Sequence, residues 1–252
     1  MIYVNLIYNL SLLISISIVS SFINNINFKN RILNQLYQGL LFGGVAIIGM
    51  LNPFVLSPGI IFDGRSIVLS LSAFFFGPYA MILSSAMAIA FRFYRGGEGA
   101  MTGILVIISS ALIGHVYREY LNFRKKEPKL LGIFIMSMAV HVALILLMFT
   151  LPPKSSIETI KKIILPILLI YPFASVIISK IFLDREASIK TLNELRHSEF
   201  TLQKIFDILP VGLWFADKNG KLLRGNKAGI EIWGAQPKVG LNEYSVFKAK
   251  RL

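Results

Sequence analysis

Residues 52–103 read NPFVLSPGIIFDGRSIVLSLSAFFFGPYAMILSSAMAIAFRFYRGGEGAMTG, and the fold turns on how this stretch is divided. The apolar run over 60–94 is too long for one comfortable membrane crossing, since a bilayer core of ~30 Å needs about twenty helical residues. Gly77-Pro78 sits near its middle, and proline breaks the helical ladder, so the pair predicts a helical hairpin with arms at about 62–76 and 79–94. Each arm then reaches ~22 Å and packs inside a bundle. The competing reading is one helix kinked at Pro78, which membranes tolerate. Two charged clusters, Asp63/Arg65 and Arg92/Arg95/Glu98, flank the run, and only the hairpin brings them to one side. Ionisable groups beside membrane-depth sequence are costly and tend to face a cavity or a partner. Two guanidinium groups at one cavity suit a small carboxylate, which arginine grips with a planar fork of donors.

Arg65 and Arg92 are therefore the primary candidate ligand contacts, with Arg95 beside them. Asp63 would repel an anion directly, so its expected task is to orient Arg65. Gly96, Gly97 and Gly99 would let backbone amides approach a bound anion. The plainer alternatives are arginines that snorkel to lipid phosphate and glycines that only make a tight turn.

The 252 residues are 55% hydrophobic with a mean hydropathy of +0.66, and only 15% are charged against the ~25% of soluble domains. More than half of the charges follow residue 183, which separates a membrane part from a wetter tail. No cysteine is present and the three histidines (His115, His141, His197) are far apart, so neither a disulfide nor a metal site is expected. The net charge of +13 raises nucleic acid as a partner, but the basic residues sit mostly in short loops between apolar runs, where membrane topology already expects them. Membrane lipid is the expected surrounding, and nucleic acid is not an expected partner.

Further spans are expected at roughly 2–23, 36–56, 101–121, 130–151 and 160–183, giving six or seven in all. The N-terminus lacks a basic start and reads as an uncleaved first span. Loop charges barely discriminate the hairpin from the kinked helix, and a cytoplasmic C-terminus in the plasma membrane is the expected orientation. His141, inside an apolar helix, is expected to hydrogen-bond across helices. In the tail, Ile189, Leu192, Leu195, Leu202 and Ile205 recur on a helical spacing among mixed charges. This predicts an amphipathic linker helix over 184–205 and a weak case for a homodimer through it. GLWFADKNGKLLRGN then reads as strand, turn and strand, and Asn226 to Trp233 as the start of a helix.

The run PGIIFDGRSIVLSLSAFFFGPYA…FRFYRGGEGAMTGI…GHVYRE resembles the five-transmembrane receptor domain of LytS-type bacterial sensors, over about residues 30–185. The layout is also distantly similar to the substrate-binding subunits of energy-coupling-factor vitamin transporters. The resemblance implies an all-α polytopic bundle with an outward-facing pocket, feeding a histidine kinase or a diguanylate cyclase. It also implies a link to cell-wall turnover and to small carboxylates such as pyruvate. The tail ILPVGLWFADKNGKLLRGNKAGIEIWGAQPKVG resembles the start of an α+β PAS domain, of which too few residues remain for a complete sheet. The expected organisation is a first helix over 1–29, a receptor domain over 30–183, the linker over 184–205 and a truncated PAS region over 206–252. Kinase and cyclase motifs are missing from the sequence, so the chain is expected to have no catalytic residues, no cofactor and no enzyme activity. It reads as a receptor from a truncated frame or split gene. The alternative is a small-solute transporter subunit, against which the PAS-like tail argues.

Overall fold

The computed structural model describes residues 30–233 apart from 58–59, 152 and 220–221, together with Ser15, Val19 and Ser20. Most of the expected first span and the tail beyond Trp233 lie outside the described residues. The chain divides into two compact units, Met1–Arg185 and Glu186–Leu252.

The first continuous described stretch opens with α1, Arg31–Leu51, whose N-terminus is capped by Asn30 accepting the Ile32 amide at 2.9 Å. The span expected to continue to residue 56 stops at Leu51. Proline disfavours the helical region for the residue before it, and Asn52-Pro53 enforces that. The chain then forms a small antiparallel pair, β1 (Phe54–Ser57) and β2 (Ile60–Phe62), in register Phe54↔Phe62 and Val55↔Ile61. The all-α expectation is corrected here. FVLS and IIF are β-branched and aromatic runs on either side of Pro58-Gly59, which is strand–turn–strand chemistry.

Next come α2 (Arg65–Phe76) and α3 (Pro78–Arg95), the two arms of the hairpin. Gly77 holds φ +94, a conformation side-chain-bearing residues rarely adopt, and Pro78 opens α3 where its missing N–H costs nothing. The turn is sealed from two sides. Gln35 accepts the Tyr79 amide at 3.2 Å, and Arg118 donates to the Phe74 carbonyl at 2.7 Å. Ser72 and Ser84 meet across the arms at 3.3 Å, and Arg95 reaches the Met50 carbonyl, so the end of α1 lies beside the end of α3. The single kinked helix is thereby excluded.

Helices α4 (Ala100–Arg124) and α5 (Leu130–Leu147, extended by a 3-10 turn at Met148–Thr150) come after the hairpin, and α6 runs from Pro153 to Ile208. The arm α2 is the hub: it packs on α1, α3, α4 and α5, and its residues from Arg65 to Phe74 are all buried. Gly114 of α4 lies so close to the Ser70 backbone that a methyl group there would clash with it. Phe42, Phe75, Phe76 and Phe182 cluster at the Gly77 end, with Phe75 and Phe182 ring centroids 5.0 Å apart. The outward faces are apolar too. Leu131, Ile135, Leu146 and Leu165 are each more than half exposed, which suits lipid and would be a liability in water. Among the described residues, four helices are long and apolar enough to cross a membrane (Arg31–Leu51, Ala100–Arg124, Leu130–Thr150 and Ile167–Ile208), with Arg65–Phe76 as a shorter apolar helix.

Residues 184–205 are helical and continue the helix of the preceding span. No glycine or proline separates the two, and Pro166 and Pro172 are absorbed without ending the helix. In the second unit β3 (Trp214–Ala216) pairs antiparallel with β4 (Leu222–Gly225), and α7 (Lys227–Trp233) comes next. Buried Asn226 ties this unit together. Its amide donates to the Val211 carbonyl at 2.8 Å, and its oxygen accepts from Leu213 and Gly229 at 2.9 and 2.8 Å.

Candidate ligand-binding site

At the hairpin end away from Gly77, three charged side chains are almost wholly removed from solvent: Asp63 (4% exposed), Arg65 (6%) and Arg92 (1%). Burial of unpaired charge costs several kcal/mol per ion, so the arrangement must be compensated locally. Asp63 Oδ1 accepts the Arg65 amide at 2.9 Å, closing the first turn of α2, and its Oδ2 stands 3.5 Å from Arg65 Nη1. Arg65 Nη2 reaches the Ile61 carbonyl at 3.5 Å, which makes β2 part of the support. Arg92 donates from Nη1 to the Gly96 carbonyl at 2.8 Å.

The two arginines come from different arms but meet at Gly103 of α4. A Cβ placed there would lie 2.6 Å from Arg92 Nε and 3.4 Å from Arg65 Nη2, so only glycine leaves room for both guanidinium groups. A small cavity of about 20 Å³ opens beside Arg65, lined by Asp63, Arg65, Ser66, Gly99, Thr102 and Gly103; Arg92 stands behind this lining rather than in it. Ile61, Phe62, Val106, Leu144, Met148 and Leu151 supply its apolar lining. That volume is enough for about one water molecule. The first turns of α2 and α4 both border the cavity, and helix N-termini carry partial positive charge. The balance of the buried trio, two cations against one anion, is +1.

Of the residues the sequence proposed, Asp63, Arg65 and Arg92 are brought together. Arg95 is not: its side chain is exposed and turned to the Met50 carbonyl, although its charge stays within electrostatic reach of Asp63. Gly96 and Gly97 do not line the cavity either. The Gly96 amide is spent on the Arg92 and Phe93 carbonyls, ending α3, and the Gly97 carbonyl accepts from Ala100. Both have positive φ (+64 and +92) and make the turn into α4.

Ser66, Thr102 and Gly103 escaped the sequence reading. Ser66 was legible one residue beyond Arg65, whereas Gly103 looked like any small residue in a span. Thr102 Oγ1 lies 2.6 Å from Thr150 Oγ1, tying the start of α4 to the turn after α5. Behind Ser66 a buried polar chain crosses the bundle. Ser66 Oγ is 3.4 Å from His141 Nε2, and His141 Nδ1 is 2.7 Å from the Ser137 carbonyl. A carbonyl can only accept, so Nδ1 carries hydrogen, and in the neutral ring Nε2 is left to accept from Ser66. Ser137 then donates to Ser175 of α6 at 2.8 Å, and Tyr171 packs edge-on against the histidine ring. His141 is thus hydrogen-bonded across helices, as its sequence context predicts. No cluster of histidine, aspartate and glutamate able to hold a metal occurs among the described residues.

Comparison with known proteins agrees with this architecture. A family model described as 5TMR of 5TMR-LYT matches residues 17–185. No curated protein and no solved structure matches the chain. The domain is found in LytS-like membrane sensor histidine kinases, and the match covers more than half of the residues. The chain therefore belongs to the 5TMR of 5TMR-LYT family and is a multi-pass membrane protein of the sensor type.

Proposed function

We propose that the chain is the input region of a plasma-membrane signalling receptor, binding a small monocarboxylate of pyruvate size at Asp63, Arg65 and Arg92. The observation that carries this reading is the meeting of two buried arginines from opposite hairpin arms at Gly103, with one carboxylate beside Arg65 and a net charge of +1 for the three. A monovalent anion brings that balance to zero. The 20 Å³ cavity is too small for such a ligand as it stands, so binding must displace part of the wall. A receptor needs that coupling, because a ligand biases two states only through its different affinity for them. The Leu144–Met148–Leu151 side is the wall free of charged contacts and is the one expected to yield.

The site faces outward and the C-terminus lies in the cytoplasm in this reading. Residues 206–252 act as the beginning of a PAS region, supported by the strand–turn–strand–helix order of β3, β4 and α7. The chain itself catalyses nothing, and the response belongs to a histidine kinase or diguanylate cyclase. Purified protein that labels itself from ATP, or makes cyclic di-GMP from GTP, would overturn that part.

Calorimetry on detergent-solubilised protein with a panel of small carboxylates tests the site. Affinity is expected in the micromolar to millimolar range, since few ligand atoms contribute. Arg65→Lys keeps the charge but loses the fork of donors, and should weaken binding roughly ten- to a hundredfold. Arg92→Ala should do the same, while Lys125→Ala, exposed in the opposite loop, should change nothing. Equal affinities in all four proteins would return the arginines to a structural role.

A further inference from the structure

Two polar atoms on the cavity wall have no hydrogen-bond partner among the described residues: Asp63 Oδ2 and Arg65 Nη1. They face each other at 3.5 Å as an ion pair that lacks hydrogen-bond geometry. One is an acceptor and the other a donor. Buried groups left this way are costly, the more so when charged, so a ligand that satisfied both would gain most. A bare carboxylate or keto acid supplies an acceptor to Arg65 but sets lone pairs against Asp63. A hydroxyl beside the carboxylate answers both atoms at once, giving an acceptor to Arg65 and a hydrogen to Asp63.

We propose that the pocket takes a small 2-hydroxy carboxylate, and that Asp63 selects it over the keto acid of the same carbon count. The proposal rests on the carboxylate-site reading above and adds the substituent beside the carboxylate. Charge separates the remaining candidates. The net +1 of Asp63, Arg65 and Arg92 is neutralised by a hydroxy-acid monoanion, left standing by a zwitterionic amino acid and exceeded by a dicarboxylate. Leu144, Met148 and Leu151 in the lining suit a short alkyl end.

The backbone around Asp63 gives a sharp substitution. Oδ1 is held by the Arg65 amide, so in Asp63→Asn the amide oxygen keeps that bond and the NH2 group replaces Oδ2. An acceptor becomes a donor with little change of shape. Calorimetry of the wild-type chain with lactate, pyruvate and alanine should rank lactate first, by about tenfold or more over pyruvate. In Asp63→Asn the lactate-to-pyruvate ratio should fall to about one or below, while Arg65 still holds the carboxylate. Wild-type protein that binds pyruvate as tightly as lactate overturns the proposal, and needs no variant to fold. Pyruvate ranking first would mean that Asp63 is protonated and donates, which overturns it equally. Either result leaves the carboxylate site standing, whereas no binding of any acid removes both readings.

Discussion

At the residue scale the site depends on a missing side chain as much as on the charged ones. Alanine at position 103 would improve helix propensity by up to about 1 kcal/mol, yet its methyl group would press on Arg92 Nε. Gly103→Ala is therefore expected to weaken carboxylate binding about tenfold while leaving the melting temperature in detergent equal or higher. A parallel loss of both would mean that the contact is one of packing alone. The buried serines act in a similar way. Ser66, Ser137 and Ser175 each serve a hydrogen bond inside the bundle, and none is exposed. In an apolar surrounding each such bond carries more weight than its residue type announces.

At the scale of elements the hairpin is held by close approach rather than by a loop. Its α2 arm has twelve residues, about 18 Å at 1.5 Å per residue, too short to cross a ~30 Å core. It persists because four other helices cover it. Gly114→Ala would drive a methyl group into the Ser70 backbone and should cost about 1–3 kcal/mol, read as a lowered melting temperature. Gly44→Ala is the matched control, since nothing lies within 4 Å of a Cβ there, and it should be neutral or stabilising. The Thr102–Thr150 contact makes a different prediction. If the ligand must open the wall it ties, Thr150→Val should tighten carboxylate binding a few-fold, because the cost of populating the open state falls. Unchanged or weaker binding would place the opening elsewhere.

At the scale of the whole molecule the question is which connections share a side. Arg95 bonded to Met50 puts the α1–β1 connection and the α3–α4 turn at one end, and α4 carries the chain across to the 125–129 loop. Single cysteines at the exposed positions Asn52 and Glu98 should thus react together with an impermeant thiol reagent, and a cysteine at Glu127 should react from the opposite side. The absence of native cysteine gives a silent background. Labelling of 52 and 98 from opposite sides would contradict the hairpin.

Local chemistry settled much of this chain in advance. The Gly77-Pro78 break comes from φ restriction and a missing donor, the long spans from length and hydropathy, and the β3–turn–β4 order from turn residues. The pairing of Asp63 and Arg65 with Arg92 was also legible once the hairpin was chosen, because a turn at 77 puts residues equally far from it side by side. Three matters waited for tertiary structure. Strand β1 read as the end of one span and β2 as the start of the next apolar run, because hydropathy does not distinguish a strand from a helix. That the helix over 184–205 continues the preceding span without interruption was not legible, because a change in composition alters what a helix faces without saying whether it ends. Arg95, Gly96 and Gly97 shared the charge and glycine signature of the site, but their neighbours took them up for the Met50 carbonyl and the turn. Which cation is buried and which is spent on a carbonyl depends on side chains packed from distant helices, and no local pattern carries that information.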